Sequence, residues 1–193
     1  MLPQDPFARF AAWFAEAEAQ EINDANAMTL ATIGLDGTPQ ARIVLLKEVT
    51  PAGFAFYTNQ QSDKGLQLAK NPKVGLLFHW KSLRRQVRVD GVVHQVSDSE
   101  ADDYFATRAK VSQLGAWASD QSRPLDQRAT LEARVAEAAR RFGDGPVPRP
   151  PHWSGYRVVP SRVEFWQDMP FRLHDREVFT RDGESWRSVL LYP

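Results

Sequence analysis

The sequence predicts an α+β fold in which an antiparallel β-barrel is flanked by helices. Segments that alternate β-branched or aromatic residues with polar ones occupy positions 28 to about 96 and again 156 to 191. Helical periodicity is confined to the N-terminus, a short insertion and the region between these two parts. Because strands and helices do not alternate regularly, a doubly wound parallel sheet is disfavoured. A chain of 193 residues is expected to form one domain, 1–193.

The N-terminal region carries a helix signal. Asp5-Pro6 combines an N-cap residue with a proline suited to the first turn, and apolar residues then recur at helical spacing from Phe7 to Phe14. We predict a helix that ends near Gln20, within an N-terminal helical segment at residues 1–25.

The first strand-rich part predicts a sheet of at least five antiparallel strands. Asp36-Gly37 supplies a turn between the first two strands, and Asp90-Gly91 predicts a bend in the fifth. A short helical insertion is expected at residues 62–70, before Asn71-Pro72. The predicted strands are 29–33, 41–47, 53–58, 74–80 and 85–96.

The second half predicts two helices, a surface crossing and the remaining strands. Ser97 and Glu100 form a capping-box pattern that opens a helix through about Arg108. A second helix is predicted at 126–142, with Gly143 after its end. The prolines that follow indicate a stiff surface crossing at 143–152. Further strands are expected at 156–167, 171–180 and 185–191.

The composition excludes several classes of function. Lys plus Arg and Asp plus Glu both number 24, so no global basic field favours nucleic acid or an anionic membrane as a partner. The absence of cysteine excludes disulfides and thiolate chemistry, and the four histidines lack metal-ligand spacing, so no metal site is expected. Residues 1–6 lack the pattern of a targeting leader, and no run of eighteen apolar residues occurs, so a cytoplasmic protein is expected.

A cluster of cations in the C-terminal part suggests an anion site. Arg172, His174 and Arg176 occupy alternate positions of a predicted strand and would point to one face. Trp166 closes the preceding strand and places an aromatic ring near them. A planar, phosphorylated ligand would suit this pair of features. The alternative is a solvated strand face with no ligand.

A second pattern lies on the helix that opens at Ser97. Tyr104, Arg108 and Ser112 are spaced at i, i+4 and i+8, so one helical stripe would carry a phenol, a guanidinium and a hydroxyl. These donors together form a plausible phosphate clamp. The alternative is that Tyr104 packs in the core and that the helix ends before Ser112.

Weaker signals come from other polar residues. Arg42 and Lys47 flank an apolar strand core on opposite faces. Ser62-Asp63-Lys64 opens a helix whose backbone N–H groups and lysine are suited to phosphate. Gln86 and the pair Gln121-Ser122 are able to bond the edge of a heteroaromatic ring. Glycine-rich phosphate loops, the nucleophile-elbow motif and the H-E-x-x-H motif are missing, so a phosphate site must be built from side chains.

Taken in order, several blocks of the sequence resemble the pyridoxine/pyridoxamine 5'-phosphate oxidase family. The resemblance extends over nearly the whole chain, and the set of blocks in this order is specific. The blocks are Arg42-Ile-Val-Leu-Leu-Lys47, Phe56-Tyr57-Thr58-Asn59, Arg85-Gln86-Val87, Tyr104-Phe105, Ser112-Gln-Leu-Gly-Ala-Trp117, Gln121-Ser122, Phe165-Trp166-Gln167 and Arg172-Leu-His-Asp-Arg176.

The resemblance implies a split β-barrel homodimer with FMN at the subunit interface. It implies oxidation of pyridoxine or pyridoxamine 5'-phosphate by dioxygen to pyridoxal 5'-phosphate, with release of hydrogen peroxide. FMN contacts are implied for Arg42, Ile43, Val44, Leu45, Leu46, Lys47, Tyr57, Thr58, Lys64, Gln86, Gln121, Ser122, Trp166 and Arg176. Substrate contacts are implied for Lys47, Tyr104, Arg108, Ser112, Arg172 and His174, of which Arg172 and His174 are the expected catalytic residues.

The chain departs from the family pattern at three positions. Asp63 stands where the family usually has arginine, so weaker FMN binding is expected unless Asp63 turns to solvent or caps the helix. The Asp63→Arg variant is therefore predicted to bind FMN more tightly. Ala109 replaces a proline, and Leu190 replaces an arginine near the C-terminus.

Two other functions remain open from the sequence. One is a related FMN oxidase with another substrate, as in phenazine biosynthesis, which should lack the substrate-phosphate clamp. The other is a non-catalytic module that binds flavin or pyridoxal phosphate.

Overall fold

The computed structural model describes residues 5–193, which form nine strands, five α-helices and one 3-10 turn. The helices are α1 Pro6–Gln20, α2 Asp63–Lys70, α3 Asp98–Thr107, α4 Lys110–Ala118 and α5 Arg128–Phe142. The strands are β1 Ala27–Ile33, β2 Pro39–Leu45, β3 Glu48–Thr50, β4 Gly53–Asn59, β5 Lys73–Trp80, β6 Arg85–Gln95, β7 Trp153–Gln167, β8 Asp175–Asp182 and β9 Ser185–Leu190.

All nine strands belong to one antiparallel sheet that curls into a split barrel. The main path runs β2-β1-β5-β6-β7-β4-β3, and β8 and β9 continue from β7. The long strand β7 makes this possible, since its first half pairs with β4 and its second half with β8. The predicted antiparallel α+β barrel with flanking helices is therefore confirmed.

A bulge lets β6 follow β7 around the bend. The register between these strands shifts at Asp90/Gly91, where the sequence predicts a bend. A Cβ atom on Gly91 would lie 2.4 Å from the carbonyl oxygen of Val159. Because this close approach involves backbone, only glycine fits there without a shift of the strand.

The core is an aromatic cluster that α1 closes. Asp5 caps this helix by accepting a hydrogen bond from the backbone N–H of Phe7 at 3.0 Å. Phe10 is fully buried, and its ring lies 5.0 Å from the rings of both Phe54 and Phe78. Arg9 forms an ion pair with Glu177 and so joins α1 to β8. The predicted N-terminal helix is confirmed, and residues 1–4, used in the leader argument, lie outside the described residues.

The predicted strand 171–180 is wrong at its beginning. Pro170–Arg172 form a 3-10 turn in which Phe171 and Arg172 have positive φ angles of 58° and 64°. The strand begins only at Asp175, because two successive left-handed residues cannot continue a β ladder. Arg172, His174 and Arg176 therefore do not share one strand face.

The predicted helical stripe is also wrong. The helix α3 ends at Thr107, Arg108 has extended backbone with ψ 146°, and a separate helix α4 begins at Lys110. The sequence carries little signal for this break, since Ala109 at the start of α4 makes no side-chain capping bond. Tyr104, Arg108 and Ser112 consequently lie on two helices and their junction.

Smaller differences affect the first strands and the second long helix. The strand β2 ends at Leu45, so Lys47 lies beyond it, and the short strand β3 was not predicted. The helix α5 begins at Arg128 rather than near residue 126. Residues 143–152 form neither helix nor strand, in agreement with the predicted crossing. The single-domain assignment stays a prediction.

No helix within residues 5–193 is long and apolar enough to span a membrane.

Candidate functional site

A cleft of about 440 Å³ lies between β2, β4 and the helices α2 to α4, and we call it the first cleft. It collects most of the polar residues that the sequence singled out, from six different parts of the chain. Its lining residues are Ile43, Val44, Leu45, Lys47, Tyr57, Thr58, Lys64, Tyr104, Arg108, Ala109, Ser112, Gln121 and Trp153.

Three nearly parallel aromatic rings form one wall of the first cleft. The ring of Tyr57 lies 4.0 Å from that of Tyr104 and 5.4 Å from that of Trp153, with interplanar angles of 20° and 11°. Gly155, opposite Tyr57 on β7, makes room for this arrangement. A Cβ atom at Gly155 would lie 2.6 Å from the Tyr57 ring. Tyr104 therefore belongs to the wall of the cleft, while its neighbour Phe105 belongs to the core.

Arg108 supplies a cation that lacks a protein partner. Its guanidinium carbon lies 4.9 Å from the ring centre of Trp153, and its Nη1 atom is buried with no hydrogen-bond partner among residues 5–193. Burial lowers the pKa of this guanidinium from its ordinary value. A buried N–H group without a partner is costly, so an anion in the cleft would relieve an existing deficit.

A second cation lies at the beginning of α2. Lys64 Nζ donates to Gln121 Oε1 at 2.9 Å and lies 3.4 Å from Thr58 Oγ1 and from the hydroxyl of the N-cap residue Ser62. Burial, then the charge of Arg42, lowers the pKa of Lys64, while Asp63 opposes that change. These groups and the first turn of α2 are chemically suited to a phosphate.

Asp63, the departure from the family pattern, pairs with Arg123. Its Oδ1 atom accepts a hydrogen bond from Arg123 Nη2 at 2.6 Å, and the same nitrogen lies 3.4 Å from the backbone oxygen of Gln61. Arg123 follows the Gln121-Ser122 pair, so the ion pair ties that loop to α2. The anionic charge at position 63 is thus matched by a nearby cation.

Arg42 and Leu46 lie behind the first cleft rather than in its lining. The Arg42 guanidinium donates to Thr32 Oγ1, to Gln67 Oε1 at 3.0 Å and to the backbone oxygen of Leu30 at 3.3 Å. Leu46 is buried in the core. Burial lowers the pKa of Arg42, and the charge of Asp63 raises it. The charge of Arg42 thus reaches Lys64, and its implied FMN contact stays a prediction.

A second cleft, of about 520 Å³, lies at the turn between β7 and β8. It brings together Arg172 and His174, and the ring of His174 lies 4.6 Å from that of Trp166. The predicted closeness of the aromatic ring to these two cations is therefore present, although the strand that predicted it is not. The lining residues are Arg84, Trp166, Asp168, Met169, Pro170, Phe171, Arg172 and His174.

Three of the implied FMN contacts form a row across neighbouring strands. Gln86 on β6 lies opposite Trp166 on β7, which lies opposite Arg176 on β8. Directly opposite side chains in an antiparallel sheet share a face. Arg176 is thereby placed beside Trp166 although it does not line the second cleft. Ser122 is exposed with a φ angle of 71° and lines neither cleft.

Glu164 fixes the position of Arg176. Its carboxylate is 1% exposed and accepts from Arg176 Nε at 2.9 Å and from Arg162 Nη2 at 2.6 Å. Burial alone would raise the pKa of this carboxyl, but the hydrogen bonds from the two arginines hold the pKa below its ordinary value. Arg176 is thus held rigidly before any ligand binds.

The two clefts are separate surfaces of one chain. Among the described residues they share no lining side chain. Trp153 in the first cleft and Trp166 in the second lie near opposite ends of β7. The residues implied for one site are therefore divided between two places in the chain.

Several lining residues were not predicted from the sequence. Trp153 and Ala109 line the first cleft, and Arg84 and Asp168 line the second. Asp168 follows Trp166-Gln167 directly, at the end of the strand. A carboxylate is unusual beside a site made of cations alone, and this was the signal in the sequence. Trp153 had a weaker signal, as an aromatic residue at the end of the proline-rich crossing.

Comparison with known proteins identifies related sequences over almost the full length. Residues 14–141 match the family model described as "Pyridoxamine 5'-phosphate oxidase", and residues 153–193 match "Pyridoxine 5'-phosphate oxidase C-terminal dimerisation region". Several related sequences at 59–60% identity carry the name pyridoxine/pyridoxamine 5'-phosphate oxidase. The one from Gluconobacter oxydans is 59% identical over 192 residues, covering 100% of this chain and 96% of its own. The one from Sphingopyxis alaskensis is 60% identical, covering 100% and 89%.

Solved structures agree with the curled sheet. PhzG from Burkholderia lata 383, solved with tetrahydrophenazine-1-carboxylic acid, has a TM-score of 0.93 and 30% identity, covering 100% of this chain and 94% of its own. An FMN-binding protein from Nostoc punctiforme related to pyridoxamine 5'-phosphate oxidase has a TM-score of 0.79 at 15% identity over 100% of both chains, which supports the fold alone. From the two family models and the full-length relatives, this chain belongs to the pyridoxamine 5'-phosphate oxidase family.

Proposed function

We propose that this protein is an FMN-dependent oxidase that converts pyridoxamine 5'-phosphate and pyridoxine 5'-phosphate into pyridoxal 5'-phosphate, with dioxygen as oxidant and hydrogen peroxide as product. The amine substrate also consumes one water and releases ammonia. The names of relatives at 59–60% identity support this proposal. The structural observation that carries it is the buried, unpartnered Nη1 atom of Arg108 in a cleft shared with Tyr104 and Ser112. These three groups provide the donors that a substrate phosphate needs.

The residues present fit FMN. Lys64, Thr58 and Gln121 surround the first turn of α2 and would hold the cofactor phosphate, with Lys47 and the backbone of β2 along the same cleft. Gln86, Trp166 and Arg176 would contact the cofactor from the second region. When bound, FMN supplies the two-electron redox chemistry that no side chain of this cysteine-free protein offers.

The complete site is formed by two subunits. Because the two clefts of one chain share no lining residue among those described, we propose that the first cleft of one subunit meets the second cleft of its partner in a homodimer. Residues 153–193 match a dimerisation region and contain the whole second cleft except Arg84. Apolar side chains on the sheet edge support burial by a partner, since Ile43 on β2 is 64% exposed and Leu190 on β9 is 79% exposed.

The residues of this composite site bind the substrate, orient it and accept a proton from it. Arg108, Tyr104 and Ser112 bind the substrate phosphate and hold the ring at a fixed distance from the reacting carbon. Arg172 orients the substrate from the partner side. Oxidation at the 4' carbon releases a proton from the amine or hydroxyl, and His174 accepts it.

A related flavin oxidase of the phenazine type is the second candidate function, because PhzG has a TM-score of 0.93 to this chain. The phosphate clamp favours the vitamin B6 phosphates. An oxidase built around Arg108 should discriminate strongly against the same substrate without its phosphate.

The test is an aerobic assay of FMN-reconstituted protein. Pyridoxamine 5'-phosphate, pyridoxine 5'-phosphate and phosphate-free pyridoxamine are compared, with pyridoxal 5'-phosphate or pyridoxal followed together with peroxide. The proposal expects equimolar aldehyde and peroxide from both phosphorylated substrates and little from pyridoxamine. Bound FMN without turnover of either phosphate ester would overturn it and favour another substrate or a non-catalytic carrier.

A further inference from the structure

Asp168 forms a close pair with the proposed catalytic histidine. Its Oδ1 atom lies 3.0 Å from His174 Nδ1, and both side chains are largely shielded, at 14% and 20% exposure. Both residues line the second cleft, with Arg172 and the Trp166 ring beside them. Asp168 is therefore placed to act on His174.

We propose that Asp168 is a positioning residue that sets the tautomer of His174. An ionised carboxylate only accepts hydrogen bonds, so the proton between the two atoms belongs to Nδ1. The lone pair of the neutral imidazole then lies on Nε2, and Nε2 is the atom that accepts the substrate proton. This inference rests on the proposed function, because it assigns the atom through which His174 acts.

The same ring nitrogen has a competing contact. The backbone N–H of Met169 lies 3.2 Å from His174 Nδ1, with a geometry in which Nδ1 would accept. Donation by Met169 requires the opposite tautomer, with the ring proton on Nε2. The Met169 contact has hydrogen-bond geometry, whereas the Asp168 contact is an ion-pair distance. A bond from an imidazole N–H to a carboxylate is about twice as strong as a bond between neutral groups, and this favours the Asp168 arrangement. Loss of the carboxylate would leave Met169 as the remaining partner of Nδ1 and so reverse the tautomer.

Asp168 also contacts Arg84, once through its carboxylate and once through its backbone. Arg84 forms an ion pair with Oδ2, and the backbone N–H of Asp168 donates to the carbonyl oxygen of Arg84 at 3.0 Å. Arg84 adopts a positive φ angle of 54° in the turn between β5 and β6. The ion pair and the backbone hydrogen bond join Asp168 to the turn before β6, so the residue beside His174 is tied to the sheet at Arg84.

The decisive measurement is nitrogen-15 NMR of the imidazoles in histidine-labelled holoenzyme. Spectra are recorded at about pH 8, and His174→Gln identifies the resonances. The wild-type enzyme is expected to carry the proton on Nδ1 of His174. In Asp168→Ala the proton is expected on Nε2. The Nε2–H tautomer in the wild type would overturn the proposal, even if Asp168→Ala does not fold.

Kinetics supply a second readout. Asp168→Ala is expected to lower kcat by at least about tenfold with little change in KM or FMN content, since the proton acceptor is lost but binding groups remain. Asp175→Ala removes the same charge from an exposed neighbouring position outside the cleft lining and should leave kcat within about twofold. A reversed tautomer with unchanged kcat would refute the catalytic role of Nε2. If the wild-type enzyme does not oxidise either substrate, the proposed function is wrong. The NMR experiment still tests the tautomer of His174, because it does not depend on turnover.

Discussion

Arg108 lies against Trp153 with its guanidinium carbon 4.9 Å from the ring centre, and its buried Nη1 atom has no hydrogen-bond partner among residues 5–193. The aromatic ring stabilises the cation without using its hydrogen-bond donors. The break between α3 and α4 is what makes the contact possible, because the extended backbone of Arg108 turns its side chain toward Trp153. A ligand anion is therefore the natural partner for this arginine.

Replacement of Arg108 should specifically weaken the use of phosphorylated substrates. A charge-assisted hydrogen bond contributes about 1.5–3 kcal/mol, so Arg108→Ala is expected to lower kcat/KM by about 10- to 150-fold. The measurement is steady-state kinetics with pyridoxamine 5'-phosphate and with phosphate-free pyridoxamine as the internal control. Equal losses for both substrates would contradict a phosphate-binding role. Arg108→Lys should recover part of the loss, since a point charge replaces the planar fork.

Arg123 is expected to protect FMN affinity by neutralising Asp63. Without its partner, the Asp63 charge acts on Lys64 and the cofactor phosphate, and an exposed charge at such a distance is worth about 1 kcal/mol. Arg123→Ala should therefore weaken FMN binding about fivefold in a fluorescence titration. The double variant Asp63→Ala/Arg123→Ala should regain the wild-type affinity.

The matched control is Arg128→Ala, which breaks an exposed ion pair with Glu132 on α5, outside both cleft linings. If Arg123→Ala and Arg128→Ala have the same FMN affinity, the neutralising role is wrong. Asp63→Arg is still expected to tighten FMN binding. The gain should be smaller than the change in charge alone implies, because Arg123 already offsets the charge of Asp63 and would lose its partner.

Glu164 should make the sheet sensitive to acid. Its pKa is depressed in the folded state, so its contribution to stability is complete above the unfolded value of about 4.3 and is lost as the pH falls through the folded value. Glu164→Gln leaves Arg162 and Arg176 without their shared carboxylate and is expected to lower the free energy of unfolding by about 3 kcal/mol at neutral pH.

The measurement is urea unfolding of the two proteins between about pH 3 and pH 7, and the difference between them should shrink at acid pH. Asp90→Asn, which loses only the partly exposed pair with Arg162, serves as the control and should cost about 1 kcal/mol or less. A pH-independent difference between the wild type and Glu164→Gln would contradict the assignment.

Gly155 should be intolerant of a methyl group. Alanine there would press a Cβ atom into the Tyr57 ring, so Gly155→Ala is expected to lower stability by about 1–3 kcal/mol and to weaken substrate binding by tilting the aromatic wall. Gly115→Ala on α4 meets no atom within 4 Å and should stabilise the helix by up to about 1 kcal/mol. Thermal unfolding of both variants measures this difference in stability. The prediction is wrong if Gly155→Ala is as stable as the wild type.

Local signals predicted most of the fold. The cap at Asp5, the bend at Gly91 and the alternating strands depend on neighbouring residues, and the structure has each of them. The α3–α4 break and the turn at Pro170–Arg172 were missed because they depend on contacts between distant segments. The spacing of polar and charged residues suggested one continuous helix in the first place and one continuous strand in the second. In the structure each of these elements is interrupted.

The sequence indicated several residues that meet in the first cleft, but not the geometry that brings them together. Tyr104, Arg108 and Ser112 meet in one cleft, as expected of a phosphate clamp, but across two helices instead of along one stripe. Arg42 lies behind the cleft because Thr32 and Gln67 hold it there, and Asp168 joins His174 only through the turn that follows β7. None of these pairings has a signature in the local sequence.

The most direct test of the account is complementation between two impaired variants. Arg108→Ala and Arg172→Ala, carrying different affinity tags, are assayed as separate homodimers and after co-expression, with pyridoxal 5'-phosphate formation as the readout. If each site combines the first cleft of one subunit with the second cleft of the other, each mixed dimer has one intact site. Random pairing in a two-fold dimer then restores about one quarter of the wild-type activity. No recovery in purified mixed dimers would contradict the composite site and place both clefts' functions within single chains.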